Sequence, residues 1–266
     1  MHLSIRHDTV YRYDPPPAQL TLRLRLFAVD NPMQRIKAWT VTVNGAEMTP
    51  LLINSFGDRE ALWRAPAPPE QVQVSVEGAV ETENRAGMLG RWPPHRPAVF
   101  LRYSPLTKPS DGVASFARKA ASEQNGPLPL LHQLNEAAAE ALEYRPGATD
   151  SHATAAEALA RGAGVCQDRA HLFVAACRFL EIPARYVVGY LYDPAAPLGE
   201  THAWAEAWVE GLGWVGFDPT HRQSPTDAYI RLSSGLDAFD ATPIRGHIHG
   251  ESMESLTADV AVGVMQ

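Results

Sequence analysis

Alternating apolar and polar positions predict strands over the N-terminal part of the chain. Residues 20–26 alternate leucine with threonine or arginine, which is the two-residue period of a half-buried strand. Residues 36–43 and 71–76 show the same alternation, and Asn44-Gly45 supplies a turn after the first of these two segments. Short strands separated by proline and Asn-Gly predict an antiparallel β-sandwich.

The pattern changes to helical periodicity further along the chain. Residues 88–109 contain five prolines and predict an irregular connection. Residues 113–123 and 130–144 then predict helices, the second with a stripe of leucine and alanine. Residues 155–160 predict a shorter helix, with Thr154 as its N-cap.

A longer helix is predicted over residues 170–182, an apolar run without glycine or proline before Pro183. Strands are expected after this helix, at residues 184–192, 202–209, 214–218 and 256–264. Helices followed by antiparallel strands predict an α+β fold for the second part of the chain.

The composition of the chain narrows the classes of partner. The 266 residues carry a formal net charge of −7, which argues against nucleic acid or an anionic membrane as a partner. No stretch is long and apolar enough to predict a membrane span, and the opening residues do not resemble a secretory signal. We therefore expect a protein of the reducing cytoplasm, while its oligomeric state has no signal in the sequence.

The two cysteines are not expected to form a disulfide. If both lie on one helix, eleven residues separate Cys166 from Cys177 by about 16 Å, at about 1.5 Å per residue. A disulfide requires Cα atoms within about 7 Å. Cys177 is therefore interpreted as a small buried apolar residue.

Cys166 is the strongest candidate for a chemical role. It follows Gly162-Ala163-Gly164-Val165 and precedes the predicted helix, so it lies at the positive end of the helix dipole, where a thiolate is favoured. A histidine, His202, and an aspartate, Asp218, follow in the chain. Nucleophile, base and orienting acid in this order are the components of a Cys-His-Asp acyl-transfer site.

Hairpin geometry gives a test of whether His202 and Asp218 can meet. Residues 210–213 predict a turn between two aromatic-rich strands. With the turn centred near Gly211, the two side chains share one face at neighbouring or diagonal positions, about 7–8 Å apart at the backbone. A register shifted by one residue would place them on opposite faces, and the sequence leaves that register open.

Four blocks of sequence resemble the transglutaminase-like superfamily, and its bacterial branch of cysteine proteases most closely. The blocks are Gly164-Val165-Cys166-Gln167-Asp168, Ile182-Pro183-Ala184-Arg185-Tyr186-Val187-Val188-Gly189-Tyr190, His202-Ala203-Trp204-Ala205-Glu206 and Gly213-Trp214-Val215-Gly216-Phe217-Asp218-Pro219-Thr220. The strand-rich beginning resembles the N-terminal β domain of that branch, with Asp58 in Phe56-Gly57-Asp58 where the domain often has Phe-Gly-Asn.

The resemblance implies a fold, a domain division and three catalytic roles. The fold is an N-terminal antiparallel β-sandwich over residues 1–105, followed over residues 106–266 by a papain-like or transglutaminase-like core in which the cysteine helix packs on an antiparallel sheet. Cys166 is implied to be the nucleophile, His202 the general base and acid, and Asp218 the residue that orients the imidazole. The substrate is expected to be a peptide or protein amide.

The backbone N–H of Cys166 is a natural oxyanion donor at a helix start. Gln167 and Tyr103 are further candidates for the oxyanion site, and Trp204 is a candidate for the cleft wall or the core. Asp168 is expected to have a structural role.

That structural role is either as a helix cap or as the partner of one of two arginines, Arg169 and Arg185.

One segment departs from the family pattern. This branch usually has Gly-Arg-Asp-Tyr after the core, whereas the chain has Gly235-Leu236-Asp237-Ala238-Phe239 and lacks the arginine. His247-Ile248-His249 places two imidazoles on one strand face, but no cysteine lies near and Glu251 is the only adjacent carboxylate. No metal or cofactor is expected, and no acidic loop suits calcium.

Three classes of function are compatible with the sequence. The first is cysteine-dependent amide hydrolysis through a thioester acyl-enzyme, as in a peptidase or amidase. The second is acyl transfer to an amine, as in true transglutaminases, and the third is a non-catalytic peptide-binding module. Hydrolysis is favoured because water is always present and no amine-acceptor site is legible.

Overall fold

The N-terminal part of the chain is built from strands. A computed structural model describes residues 1–93, 96–122, 126–195, 198–199 and 201–265. The first strands are β1 (His2–Asp14), β2 (Gln19–Phe27), β3 (Gln34–Val43), β4 (Ala46–Glu47), β5 (Leu52–Ile53), β6 (Arg59–Pro66), β7 (Gln71–Thr82) and β8 (Met88–Gly90). Two short 3₁₀ helices follow at Pro97–Leu101 and Pro105–Thr107. The predicted strands over residues 20–26, 36–43 and 71–76 are confirmed as β2, β3 and β7.

Helices and strands mix in the remainder of the chain. They are α1 (Asp111–Ala121), α2 (Pro127–Ala141), β9 (Glu143–Tyr144), α3 (Ala155–Arg161), β10 (Ala163–Gly164), α4 (Cys166–Phe179), β11 (Ala184–Leu191), β12 (Leu198–Gly199), β13 (His202–Val209), β14 (Gly213–Phe217), β15 (Tyr229–Gly235), α5 (Ala238–Ala241), β16 (Ile244–His249) and β17 (Met253–Val264). Within the described ranges, no helix is both long and apolar enough to cross a membrane.

Two antiparallel sheets form the sandwich and enclose one apolar core. Their strand orders are β12-β17-β1-β7-β3-β4 and β16-β2-β6-β5. The four leucines of residues 20–26 are fully buried between the sheets and pack with valines of β7 and β17. The predicted β-sandwich is confirmed.

The last two strands complete the sheets of the sandwich. The predicted strand over residues 256–264 is confirmed within β17, which pairs antiparallel with β1 from Leu3↔Val264 to Asp14↔Met253. The strand β16 pairs with β2 in the other sheet. The chain thus begins and ends in the same sandwich, and the division at residues 105 and 106 stays a prediction.

A third antiparallel sheet carries the helices. Its strand order is β15-β11-β13-β14-β8, so β8 from the N-terminal part is its edge strand. On β13, Ala205 and Ala207 share one buried cluster with Leu172, Phe173 and Ala176 of α4. Small side chains on the strand let the helix approach closely, and the predicted α+β core with its cysteine helix on an antiparallel sheet is confirmed.

Two predicted helices have different bounds in the structure. The helix predicted over residues 170–182 begins earlier, at Cys166, and ends at Phe179. The helix predicted over residues 130–144 ends at Ala141, because Leu142 is extended and residues 143–144 pair with β10. Residues 94 and 95 of the predicted connection, and Glu123 of the predicted helix over 113–123, lie outside the described residues.

A buried chain of four charges joins the sandwich to the sheet that carries the helices. Arg231 on β15 lies 3.6 Å from Asp58 and donates to Glu206 on β13 at 2.9 Å, and Glu206 also accepts from Arg185 on β11. All four side chains are at most 5% exposed. Two cations and two anions offset one another, which is the arrangement that buried charges require.

Candidate active site

Cys166 is the first residue of α4 and is half-buried. At this position the backbone N–H has no acceptor within the helix, because the first N–H groups precede the carbonyls that would bind them. The other cysteine, Cys177, is fully buried on the same helix, and both thiols are free. Burial raises the pKa of the Cys177 thiol, so the two cysteines differ sharply in environment.

Asp168 fixes the turn that leads into the cysteine helix. Its Oδ2 accepts from the Val165 N–H at 2.8 Å and from Thr149 Oγ1 at 2.6 Å. A Cβ on Gly164 would lie 2.6 Å from atoms of the Asp168 side chain, so this approach requires glycine. The expected structural role of Asp168 thus takes the form of a helix cap.

The two arginines considered as partners of Asp168 bind other groups. Arg169 donates to the Leu142 carbonyl at 2.6 Å, and its Nη1 lies 3.4 Å from the Thr220 carbonyl. Arg185 instead donates to Glu206. Arg169 therefore ties the cysteine helix to the turn that follows β14.

The hairpin register brings His202 and Asp218 together. Ala205 pairs with Phe217 and Trp208 with Trp214, so this register continued by one pair puts Asp218 opposite Trp204, diagonal to His202 on the same face. His202 Nε2 donates to Asp218 Oδ2 at 2.7 Å. The register that the sequence left open is the one in which the two residues meet.

Gly189 lies directly opposite His202 on the neighbouring strand β11. A Cβ at this position would lie 2.0 Å from the Ile230 carbonyl oxygen and 2.7 Å from the Trp204 ring. Only glycine therefore lets β11, β15 and Trp204 converge behind the imidazole.

Asp218 is fully buried and accepts hydrogen bonds at both oxygens. Its Oδ2 accepts from His202, from Tyr229 Oη at 2.7 Å and from His221 Nδ1 at 2.8 Å. Its Oδ1 accepts from the Thr220 N–H at 2.8 Å and the His221 N–H at 3.3 Å. Burial would raise the pKa of this carboxyl, but the three side-chain hydrogen bonds and the charge of His202 outweigh burial and hold the pKa well below its usual range.

The pKa of His202 is shifted in the opposite direction, upward. Burial disfavours its charged form, yet hydrogen bonds to Asp218 and to the Cys166 side chain, with the negative charges of both, raise its pKa to about 9. The imidazole therefore has both the cysteine and the carboxylate as partners that favour its charged form, and it holds its proton through neutral pH. This geometry permits a thiolate–imidazolium pair backed by a carboxylate.

Arg169 adds a cation beside this group. It is largely buried, its guanidinium lies 5.4 Å from the centroid of the Tyr144 ring, and its charge acts favourably on both Asp218 and Cys166. Burial lowers the pKa of this guanidinium, and the neighbouring cation Arg222 lowers it further. The site thus combines two carboxylate-facing imidazoles with a buried guanidinium.

The other candidates from the sequence occupy different places. Gln167 follows Cys166 on α4, and its Nε2 lies 3.5 Å from the Ser151 carbonyl. Trp204 is buried behind His202 and packs edge-on against Tyr229 at 5.6 Å, which is a core position.

Tyr103 is not brought to Cys166. It is half-exposed, and its hydroxyl acts electrostatically on Arg178, twelve residues further along α4 than Cys166, or about 18 Å of helical rise. The structure therefore separates Tyr103 from the other candidates and gives no support to it as an oxyanion donor.

The segment of residues 235–239, which lacks the arginine of the family pattern, makes local structural contacts. Asp237 caps α5 by accepting from the Asp240 N–H at 2.9 Å, and the Ala238 N–H donates to His171 at 3.0 Å. The Phe239 ring lies 3.7 Å from the Arg245 guanidinium.

One group of potential metal ligands occurs in the described part of the chain: His202, Asp218 and His221, whose ligand atoms lie within 4.8 Å of one another. Both imidazole nitrogens lie 2.7–2.8 Å from the same carboxylate oxygen, closer than the about 3.3 Å between two ligands of a tetrahedral zinc ion. The spacing is that of hydrogen bonds. The imidazoles of His247 and His249 are exposed on β16, away from this group.

His221 and Tyr229 were not found by the sequence analysis. His221 had a local signal, because it is the third residue after Asp218 and the turn returns it to the carboxylate. Tyr229 reaches Asp218 from β15, eleven residues later, and no short-range pattern indicates this contact.

Comparison with known proteins agrees with the fold. Residues 114–219 match the family model of the transglutaminase-like superfamily, and residues 3–81 match that of the bacterial transglutaminase-like N-terminal region. An uncharacterised protein of Mycobacterium leprae is 30% identical, over 98% of both chains.

Two further relatives carry descriptive names. The crystal structure of a "putative cysteine protease" from Cytophaga hutchinsonii aligns with a TM-score of 0.78 and 26% identity, over 100% of this chain and 92% of that one. A protein-glutamine gamma-glutamyltransferase of Pseudomonas aeruginosa is 33% identical over 82 residues, covering 28% of this chain and 12% of its own length. The chain belongs to the transglutaminase-like superfamily, with a transglutaminase-like core and the N-terminal region of its bacterial members.

Proposed function

We propose that the protein is a cysteine-dependent amide hydrolase acting on peptide or protein amides in the reducing cytoplasm. The observation that carries the proposal is the position of His202, whose Nε2 lies 2.7 Å from Asp218 Oδ2 and whose pKa is raised by both Asp218 and the Cys166 side chain. This order of contacts is what a thiol nucleophile, its base and an orienting carboxylate require.

The reaction follows from these contacts. The Cys166 thiolate attacks the amide carbonyl carbon, and the oxyanion that forms is stabilised by the Cys166 N–H at the start of α4. The C–N bond then breaks, His202 gives its proton to the departing amine, and a thioester remains. Water attacks the thioester while His202 takes up its proton, which releases the acid and restores the thiolate–imidazolium pair.

Acyl transfer to an amine is the second candidate. The named activity of the Pseudomonas aeruginosa relative favours it, since that protein is a glutamine gamma-glutamyltransferase. The thioester step is common to both reactions, and only the acceptor differs. We favour hydrolysis because no amine-binding group is evident among the described residues around Cys166.

The test is an assay with glutamine-containing and isopeptide-linked peptides, with and without a fluorescent primary amine. Mass spectrometry of acid-quenched protein locates the acyl group. We expect the acyl group on Cys166, a hydrolysed product, and no turnover by Cys166→Ala, with Cys177→Ala as the matched active control. Faster incorporation of the amine than hydrolysis would favour the transferase, and turnover by Cys166→Ala would contradict both.

A further inference from the structure

His221 shares the carboxylate that orients His202. Its Nδ1 lies 2.8 Å from Asp218 Oδ2, the same oxygen that His202 Nε2 contacts at 2.7 Å. The two rings meet edge to face, with centroids 5.1 Å apart. Whereas His202 is buried, the side chain of His221 is 41% exposed.

The chemistry of the carboxylate fixes which nitrogen of each ring carries a proton. An ionised carboxylate only accepts hydrogen bonds, so both facing nitrogens must be donors. A neutral His221 can donate from Nδ1 and keep a lone pair on Nε2. His221 Nδ1 is therefore a second donor to the oxygen that His202 Nε2 contacts.

Sharing has a consequence for His202. Each additional hydrogen bond to Oδ2 stabilises the negative charge of the carboxylate. The carboxylate then stabilises the protonated form of His202 less strongly. We propose that His221 is a positioning residue that divides the hydrogen bonding of Asp218 between two imidazoles and so sets how tightly His202 holds its proton. The proposal deepens the proposed function, on which its catalytic consequence rests.

Other charged and polar groups act on the same site and are unchanged in the variants of His221. Arg169 lies beside Cys166 and Asp218, and Tyr229 donates to Asp218. Nearby, Arg222 Nη1 pairs with two carboxylates, those of Glu136 at 3.3 Å and Glu140 at 3.8 Å.

The first test compares kcat/KM against pH for the wild type, His221→Ala and His221→Gln. Loss of the donor in His221→Ala is expected to move the basic limb upward by about 0.5–1 pH unit and to lower kcat about three- to tenfold with KM nearly unchanged. Glutamine keeps a neutral N–H donor and should restore the basic limb. His249→Ala, which removes an exposed imidazole on β16, should leave the profile unchanged.

A second test separates this inference from the proposed function. The midpoint for His202 protonation is followed by NMR in the inactive Cys166→Ala protein, alone and combined with His221→Ala or His221→Gln. We expect a higher midpoint with His221→Ala and recovery with His221→Gln, whether or not the protein hydrolyses amides. Equal midpoints in all three proteins would overturn the sharing of Asp218, and circular dichroism on each checks that it is folded.

If the alanine variant does not fold, Tyr229→Phe provides the same comparison. It removes another donor to Asp218 Oδ2 without touching either imidazole. The midpoint of His202 should again rise, and an unchanged midpoint in Tyr229→Phe would count against the inference.

Discussion

His202 and Asp218 lie diagonally across the hairpin of β13 and β14, with Nε2 of one 2.7 Å from Oδ2 of the other. Asp218 is fully buried, so its charge is little screened by solvent and acts mainly on the groups that donate to it. The Cys166 side chain also acts on His202 and raises the pKa of its imidazole. The hairpin thereby places the His202 imidazole against a buried carboxylate, and the Cys166 side chain is its second partner.

Asp218→Asn should lower kcat/KM severely. The amide keeps the size of the side chain but loses the negative charge and presents an NH₂ group in place of one acceptor. His202 would then be held less firmly and with the wrong nitrogen protonated, which we expect to cost on the order of 10²–10⁴-fold. Steady-state kinetics with thermal unfolding measures this, and activity near that of the wild type would contradict the role of Asp218.

The activity should fall at high pH because His202 must carry a proton to protonate the leaving amine. With the pKa of His202 raised to about 9, the basic limb of kcat/KM is expected near pH 9. A pH–rate series from pH 5 to about 10.5 locates it. A limb near the ordinary histidine value of 6.5 would show that the imidazole is not held by its two partners.

The ion pair of His202 and Asp218 should stabilise the fold in a defined pH window. The pKa of His202 is raised, so its contribution is complete below 6.5 and is lost as the pH rises towards about 9. The pKa of Asp218 is lowered, so its contribution is present above 3.8 and lost in stronger acid. The difference in free energy of unfolding between wild type and His202→Gln should therefore be largest between these limits and shrink above pH 6.5. A difference that is constant from pH 5 to about 9 would argue against the ion pair.

The buried chain of charges should not tolerate the loss of one member. Glu206→Gln would leave Arg185 and Arg231 buried with only Asp58 to offset them. We expect a loss of about 3–5 kcal/mol in the free energy of unfolding, measured by urea denaturation. The surface pair of Lys37 and Glu81 offers a matched control, since solvent screens this pair and Glu81→Gln should change the free energy of unfolding far less than Glu206→Gln.

Replacing Gly164 even by alanine should destabilise the protein. A methyl group there overlaps the Asp168 side chain, which caps the cysteine helix. Gly164→Ala is expected to cost about 1–3 kcal/mol and to slow the reaction of Cys166 by displacing the start of α4. Gly211→Ala is a useful contrast, since no atom lies within 4 Å of its added Cβ, although its positive φ brings some strain.

Local patterns predicted the features of the site that are close in sequence. The glycine-rich turn before Cys166 and the turn around Gly211 each depend on neighbouring residues, so alternation and turn chemistry suffice to predict the cysteine helix and the hairpin. The fold class followed from the same patterns together with the family resemblance.

Local sequence patterns do not predict contacts between residues that are far apart in the chain. The pairing of β17 with β1 joins the two ends of the chain, and alternation predicts a strand without naming its partner. Tyr229 reaches Asp218 from another strand, and Asp58 reaches Arg231 across the two sheets. Tyr103 was a candidate because of its residue type, but its place beside Arg178 depends on how the connection packs on α4.

The most direct test of the central claim is the pH dependence of alkylation by iodoacetamide, with mass spectrometry locating the modified cysteine. We predict that Cys166 is labelled selectively at neutral pH, and that His202→Ala slows this labelling at least about tenfold. Cys177 should remain unlabelled in the folded protein. Labelling of Cys166 only in alkaline solution, or no faster than Cys177, would contradict an activated nucleophile and favour a peptide-binding module.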